Sequence, residues 1–261
     1  MKLRELNQTD IEKDIYFMEV FSDNIVINDD YEGITVLDAH LNVIKEIGLE
    51  DIVIDASYKN TLTEELALFS HDEQRLFYFN LKNMNHQACD VKAELPVLSK
   101  YYVWGSDEIV FVTYDEDFYR YSMTDNAFMK IDSAYVKAKY EPFYSFWSET
   151  KDLPVIRYDM DRLEIIANTR NNRYTVYPSN GDSIFLKSNY KPHDVHYSGE
   201  TAMFVQEDII ELSNQGEQIT LEPGKQMKFL RGRFLAYDKI AVLSSHNSDL
   251  LSQIRIYQMT D

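Results

Sequence analysis

Cysteine occurs once, as Cys89, so no disulfide can form within the chain. It falls in a strand-like run, where a free cysteine serves as a small packing hydrophobe. Glycine occurs only 8 times and proline 6. The sequence holds no glycine-rich phosphate loop, no nucleophile elbow and no zinc-binding HExxH helix. Nowhere is there an apolar run long enough for a transmembrane helix. The first residues are charged and lack the apolar stretch of a secretory leader, so the expected location is the cytoplasm. Cations are scarce: 26 Lys and Arg face 44 Asp and Glu, a formal net charge of −18 in 261 residues. A chain of that sign is repelled by phosphate backbones and anionic lipid, which argues against nucleic acid and membrane as partners. The same self-repulsion favours a monomer.

What the chain has in abundance is β-forming sequence in a repeating arrangement. An acidic turn recurs at Asp29, Asp72, Asp115, Asp159 and Glu207, with a weaker echo at Asn247, at intervals of 43, 43, 44, 48 and 40 residues. Each lies between two short runs rich in β-branched and aromatic residues. Ile25-Val-Ile-Asn precedes the first turn, Leu66-Ala-Leu-Phe the second, Ile109-Val-Phe-Val the third and Ala202-Met-Phe-Val the fifth. Such pairs of runs read as β-hairpins. Two further strand-like runs flank each hairpin, for example Ile15 to Phe21 and Val43 to Leu49 in the first copy. The last strand of the next four copies falls at Ala88 to Val91, Phe128 to Ile131, Arg173 to Tyr177 and Gln218 to Leu221.

Four strands every 40 to 45 residues or so resembles the β-propeller repeat proteins. The signatures of particular propeller families are missing: no Trp-Asp dipeptide closes a copy, no Gly-His opens one, and no paired glycines occur. The resemblance therefore implies a fold class, all-β with six blades in one domain over residues 1–261, and leaves function to the residues themselves. A two-sheet sandwich is the other arrangement such strand content permits, but it gives no reason for turns in near-constant register. The sixth copy offers only three strands, about Met227 to Leu235, Ile240 to Ser244 and Ile254 to Gln258. The N-terminal run Met1 to Leu6 is expected to supply the fourth, closing the last blade and removing two exposed sheet edges. The segment Pro178 to Asp194 lengthens the fourth interval and reads as an inserted loop, a candidate contact region.

In a propeller the turns between second and third strands emerge on one face. That would gather Asp29, Asp30, Glu32, Asp72, Glu73, Asp115, Glu116, Asp117, Asp159, Asp161, Glu207 and Asp208, joined by Glu50, Asp51 and Glu94 from the links between blades. The opposite face would carry Lys82, Lys151, Arg170, Arg173 and Lys239. A concentrated negative field attracts a basic partner and raises its association rate. Aspartate also suits tight turns because its side chain bonds nearby amides. That explains a single Asp29 better than the consecutive acids of 115–117 or 207–208, where neighbours repel.

Aromatic residues cluster at Tyr101-Tyr102-Val-Trp104 and at Tyr140 to Trp147, near the expected inner strands of the third and fourth blades. There they would fill the space between sheets. His71-Asp72 and His246 with Asp249 are chemically competent metal ligands but bracket no common point. On a strand Asp194 and His196 share a face while His193 points away, which is no ready ligand set. No metal and no cofactor are expected. The favoured function is a non-catalytic acidic scaffold that binds a basic protein partner, as an antitoxin or immunity-type protein binds a toxin. The alternatives are a carboxylate- or metal-dependent hydrolase or lyase at a central channel, and carbohydrate binding through exposed Tyr and Trp.

Overall fold

The computed structural model describes residues 1–22, 24–49, 52–91, 97–214 and 216–260. They form six four-stranded sheets. Strand β1 (Lys2–Ile11) precedes the first meander of β2 (Met18–Val20), β3 (Asn24–Asn28), β4 (Gly33–Asp38) and β5 (Val43–Gly48). The second is β6 (Ala56–Asn60), β7 (Glu65–Ser70), β8 (Arg75–Asn80) and β9 (Asn85–Asp90). The third is β10 (Leu98–Trp104), β11 (Glu108–Thr113), β12 (Phe118–Ser122) and β13 (Ala127–Ile131). Two helices follow, α1 (Ser133–Lys139) and α2 (Glu141–Thr150). The fourth meander is β14 (Val155–Asp159), β15 (Glu164–Arg170), β16 (Arg173–Pro178) and β17 (Ile184–Lys187). The fifth is β18 (Asp194–Ser198), β19 (Thr201–Val205), β20 (Ile210–Asn214) and β21 (Glu217–Leu221), and the chain ends with β22 (Met227–Ala236), β23 (Lys239–His246) and β24 (Ser252–Thr260).

The second strands of the first three sheets hold continuous apolar runs because both their faces are covered. All six residues of β11 are buried, as are five of six in β7, whereas β5 and β9 are exposed except at Ile47 and Cys89. Cys89 is 4% exposed and fills a packing role as expected. The last sheet is completed from the other terminus. Strand β1 pairs antiparallel with β24 from Lys2 opposite Thr260 to Ile11 opposite Ser252, with a bulge between Glu5 and Asn7. The first strand of the chain thus extends five residues beyond the run Met1 to Leu6 and covers the outer edge of β24.

The fourth sheet departs from the expected register. Asp159 and Asp161 border the link between its first and second strands, β14 and β15, and its second–third turn is Asn171-Asn172, which carries no acid. Arg173 to Tyr177 belongs to the third strand, and the fourth, β17, lies inside the segment read as an inserted loop. The added length sits earlier, in α1 and α2. The Asp132 carboxylate caps α1 by accepting from the Ala134 amide at 2.7 Å, and Pro142 occupies the first turn of α2. Phe143, Phe146, Trp147 and Thr150 then recur at helical spacing and are all buried. These aromatics pack from a helix, where an inner strand was expected.

The chain divides into two compact units. One comprises Met1–Ile52, Arg170–Tyr174 and Phe185–Asp261, the other Val53–Thr169 and Thr175–Ile184. The core of the second unit is aromatic: Tyr58 meets Phe111 edge-on at 4.8 Å, and Phe118 meets Trp147 at 4.8 Å. The first unit has two aliphatic clusters, one built on Ile15, Ile25, Leu243 and Ile254 and the other on Met203, Val205, Val242 and Tyr257.

Candidate functional site

The second–third turns of the first three sheets are built alike. Asp30, Gln74 and Glu116 each adopt positive φ, between 47° and 65°, and the turns close through backbone bonds such as Glu32 N to Asp29 O at 2.8 Å and Glu116 N to Thr113 O at 3.1 Å. In the first unit the turn of β3 and β4 is knitted by Asn28, which is 1% exposed. Its Oδ1 accepts from the amides of Tyr16 and Phe17 at 2.9 Å, and its Nδ2 donates to the carbonyls of Asp14 and Asp30. Gly33 follows at a φ of 150°, where a Cβ would collide with the Ile47 carbonyl. The polar chain around this hairpin is thus used up in holding it.

The acids of these turns fall into two groups. Some are engaged within the protein: Asp29 pairs with Lys13, Asp30 Oδ1 accepts from the Asp14 amide at 2.6 Å, Glu116 pairs with Lys151 at 2.5 Å and Asp117 with Lys130 at 2.6 Å. Lys13, Lys130 and Lys151 are each raised above the usual lysine range, first by the hydrogen bond to that carboxylate. The others, Glu32 and Glu207-Asp208 in the first unit and Asp72-Glu73 and Asp115 in the second, are exposed. Among the described residues their carboxylates make no ion pair and no hydrogen bond to a turn amide. Glu50, Asp51 and Glu94 lie outside the described residues.

Asp159 and Asp161 do not belong with them. They lie at the first–second end of their sheet, where Asp159 holds Arg162 at 2.8 Å and Asp161 accepts from the Thr61 hydroxyl, itself in the first–second turn of β6 and β7. The basic residues need matching corrections. Lys151 reaches Glu116 at a second–third turn, and Arg170 and Arg173 flank the second–third turn of the fourth sheet. Lys82 is at the first–second end as expected, donating to the Leu62 carbonyl at 3.5 Å, and Lys239 starts β23 at the same end of its sheet.

The aromatic clusters are core. Tyr101, Tyr102, Trp104 and Trp147 are all buried, and Tyr144 is half-buried beside Lys137. Burial pushes the Tyr101 hydroxyl, which donates to Thr150 Oγ1 at 2.9 Å, up to about 12. No stacking platform for a sugar is left at Tyr102, Trp104 or Trp147. His246 Nδ1 lies 3.2 Å from Asp249, and the His71 amide donates to Asp55 at 2.6 Å. Among the described residues no group of three potential ligands is placed to hold a metal.

Two buried polar clusters escaped the sequence reading. In the first unit Arg233, 7% exposed on β22, donates to Asp194 Oδ2 at 2.6 Å and to Glu19 Oε1 at 3.2 Å. Its Nη1 also faces His196 Nε2 at 2.7 Å. The same imidazole nitrogen lies 3.1 Å from Asp194 Oδ2, so His196 joins the guanidinium and the carboxylate in one buried cluster. Burial works against the charge on Arg233, but Glu19 and Asp194 outweigh it and raise the group above its ordinary range. Both carboxylates of this inner-strand cluster are therefore occupied by one guanidinium. The spacing of Asp194 and His196 on one strand face was legible, but partners from β2 and β22 were not.

In the second unit a glutamate opens the second strand of the second, third and fourth sheets: Glu65, Glu108 and Glu164. Glu108, 2% exposed, accepts from the hydroxyls of Tyr135 at 2.9 Å and Tyr140 at 2.8 Å and pairs with Lys139 at 3.1 Å. Burial works to raise it, yet the bonds from Tyr140, Tyr135 and Lys139 leave it below the usual glutamate range. This carboxylate fastens α1 and α2 to the third sheet. Glu164 is instead raised, chiefly by burial. The recurrence of Glu at these three positions was the signal available in the sequence.

No protein-family model matches the sequence, and no curated protein matches it. Among solved structures the chain is similar to the beta-propeller domain of Cps50 (Swd1) from Myceliophteria thermophila, with a TM-score of 0.66 over 99% of this chain and 100% of that one at 9% identity. It is also similar to Hsv2 of Kluyveromyces lactis, at a TM-score of 0.44 and 14% identity over 88% of this chain and 71% of that one. The first likeness and the six four-stranded sheets agree with the repeat read from the sequence: the chain has the fold of a six-bladed β-propeller, its N-terminal strand completing the last blade.

Proposed function

We propose that the chain is a non-catalytic binding scaffold that engages a basic protein through the carboxylates of its second–third turns, as a cytoplasmic immunity-type protein neutralises a toxin. The observation that carries this reading is the second group of acids. In the second unit Asp72, Glu73 and Asp115, and separately in the first unit Glu32, Glu207 and Asp208, are exposed and serve neither an ion pair nor a turn amide among the described residues. Acids kept for turn geometry would be bound as Asp30 and Asp159 are. Adjacent like charges repel by about 1 kcal/mol at 4 Å even in water, so unengaged pairs such as Asp72-Glu73 and Glu207-Asp208 carry a cost that a cationic partner reverses. The net charge of −18 acts in the same direction at longer range. On this reading residues 1–261 act as one domain, monomeric when alone.

The test is capture from the host lysate with wild-type protein and with a variant carrying Asp72→Lys, Glu73→Lys and Asp115→Lys. The reading predicts a basic protein held by the wild type in near-equal amount, released as ionic strength rises from about 0.05 M to about 0.5 M, and lost from the variant at low salt. A partner retained equally by both proteins would remove these turns from the interface.

A further inference from the structure

We infer that Tyr114 and Val97 form an apolar anchor point within this acidic surface, and that the segment docking there is a basic stretch carrying a hydrophobic side chain between its cations. The inference rests on the proposed function and specifies its partner. Every residue of β11 is buried, and the chain then turns Tyr114 outward to 66% exposure. Its amide donates to the Val97 carbonyl at 3.1 Å, which brings its backbone beside that of a second exposed apolar residue, Val97 at 59%. The residues that directly follow the second strand in four other sheets are Asp29, His71, Gln206 and Asn247, all polar. A phenol at this position is specific to the third sheet, and its hydroxyl has no hydrogen bond among the described residues.

Charge identifies the occupant. Tyr114 is followed by Asp115, Glu116 and Asp117. The last two already hold Lys151 and Lys130, so the charge left for a partner is that of Asp115, with Asp72 and Glu73 at the equivalent turn of the neighbouring sheet. An acidic turn alone would attract cations without regard to what lies between them. An exposed ring and an isopropyl group beside it add a preference for apolar area. The ring face also suits a lysine or arginine laid across it. Tyrosine is among the residues that most often dominate interfaces for these reasons.

Two synthetic nine-residue peptides of equal charge test this, with four lysines on each side of a central phenylalanine or a central glycine. Wild-type protein is titrated with each at low salt by calorimetry. The expected result is binding of both, the phenylalanine peptide about tenfold tighter. Tyr114→Ser with Val97→Ser, both exposed sites, should bring the phenylalanine peptide down to the glycine peptide and leave the latter unchanged. Asp72→Asn with Asp115→Asn should weaken both. Equal wild-type affinity for the two peptides, with both still weakened by the carboxylate substitutions, overturns the anchor and leaves the acidic surface standing. Failure of both peptides to bind at low salt overturns the acidic surface itself, and the anchor with it.

Discussion

Arg233→Met should be the most damaging single substitution in the first unit. The guanidinium bonds Asp194 at 2.6 Å and Glu19 at 3.2 Å, and Arg233 and Glu19 are each 7% exposed. At 3 Å and an effective dielectric constant near 20, each contact is worth about 5 kcal/mol before desolvation is subtracted. Removing the cation leaves two carboxylates with their attraction gone and their desolvation intact, and breaking a buried pair in this way costs about 3–5 kcal/mol. Methionine retains most of the apolar stem, so little of the loss comes from packing. Denaturant unfolding at pH 7, followed by tryptophan fluorescence and circular dichroism, measures the difference. In the variant Glu19 and Asp194 lose the cation that favours their charged form, so the folded state binds more protons than the unfolded one. The deficit should then shrink as pH falls from 7 toward 4. Adding Glu19→Gln to Arg233→Met should recover part of the loss, with a coupling of about 1 kcal/mol or more. A loss below about 1 kcal/mol for Arg233→Met, independent of pH, would refute the view that this cluster holds β2, β18 and β22 together.

Three further outcomes follow from the second unit. Glu108 is held below the ordinary carboxylate range, so it stabilises the fold above that range and ceases to do so as pH falls through its folded value. Glu108→Gln should cost about 1–3 kcal/mol at pH 7 in urea unfolding, and the gap to wild type should narrow as pH falls below the ordinary glutamate range. Glu164 has the opposite sign: burial raises it, which penalises folding at pH values above its folded value. Glu164→Gln is therefore expected to raise the melting temperature at pH 8 and to make no difference at pH 4. A Cβ at Gly105 would run into the Tyr140 hydroxyl that bonds Glu108, so Gly105→Ala should lower stability by about 1–3 kcal/mol and speed hydrogen exchange of the α1 and α2 amides.

The repeat was legible because the second strands of the first three sheets are covered on both faces. Ile25-Val-Ile, Leu66-Ala-Leu-Phe and Ile109-Val-Phe-Val are unbroken apolar runs, and each ends in a turn. The closure by β1 could be reached by counting three strands in the sixth copy. The fourth copy misled because two features offset each other. Helices α1 and α2 add length before β14, and an acidic turn happens to follow its first strand, so Asp159 falls at the expected interval while the true second–third turn, Asn171-Asn172, carries no acid. The helical spacing of Phe143, Phe146, Trp147 and Thr150 after Pro142 is readable in the sequence and separates these aromatics from strand residues. Of the candidate site, the acids themselves were legible and their partners were not. Lys13, Lys130 and Lys151 reach Asp29, Asp117 and Glu116 across 13 to 35 residues of sequence, a distance no local pattern encodes. The cluster on Arg233 draws on β2, β18 and β22, strands far apart in the chain.

The most direct test of the binding account is the association rate of wild-type protein and of the Asp72→Lys, Glu73→Lys, Asp115→Lys variant with the captured basic partner, measured by stopped flow over a range of ionic strength. The account predicts a rate that falls steeply with salt for the wild type, and a lower, nearly flat rate for the variant. Two superimposable salt profiles would contradict it.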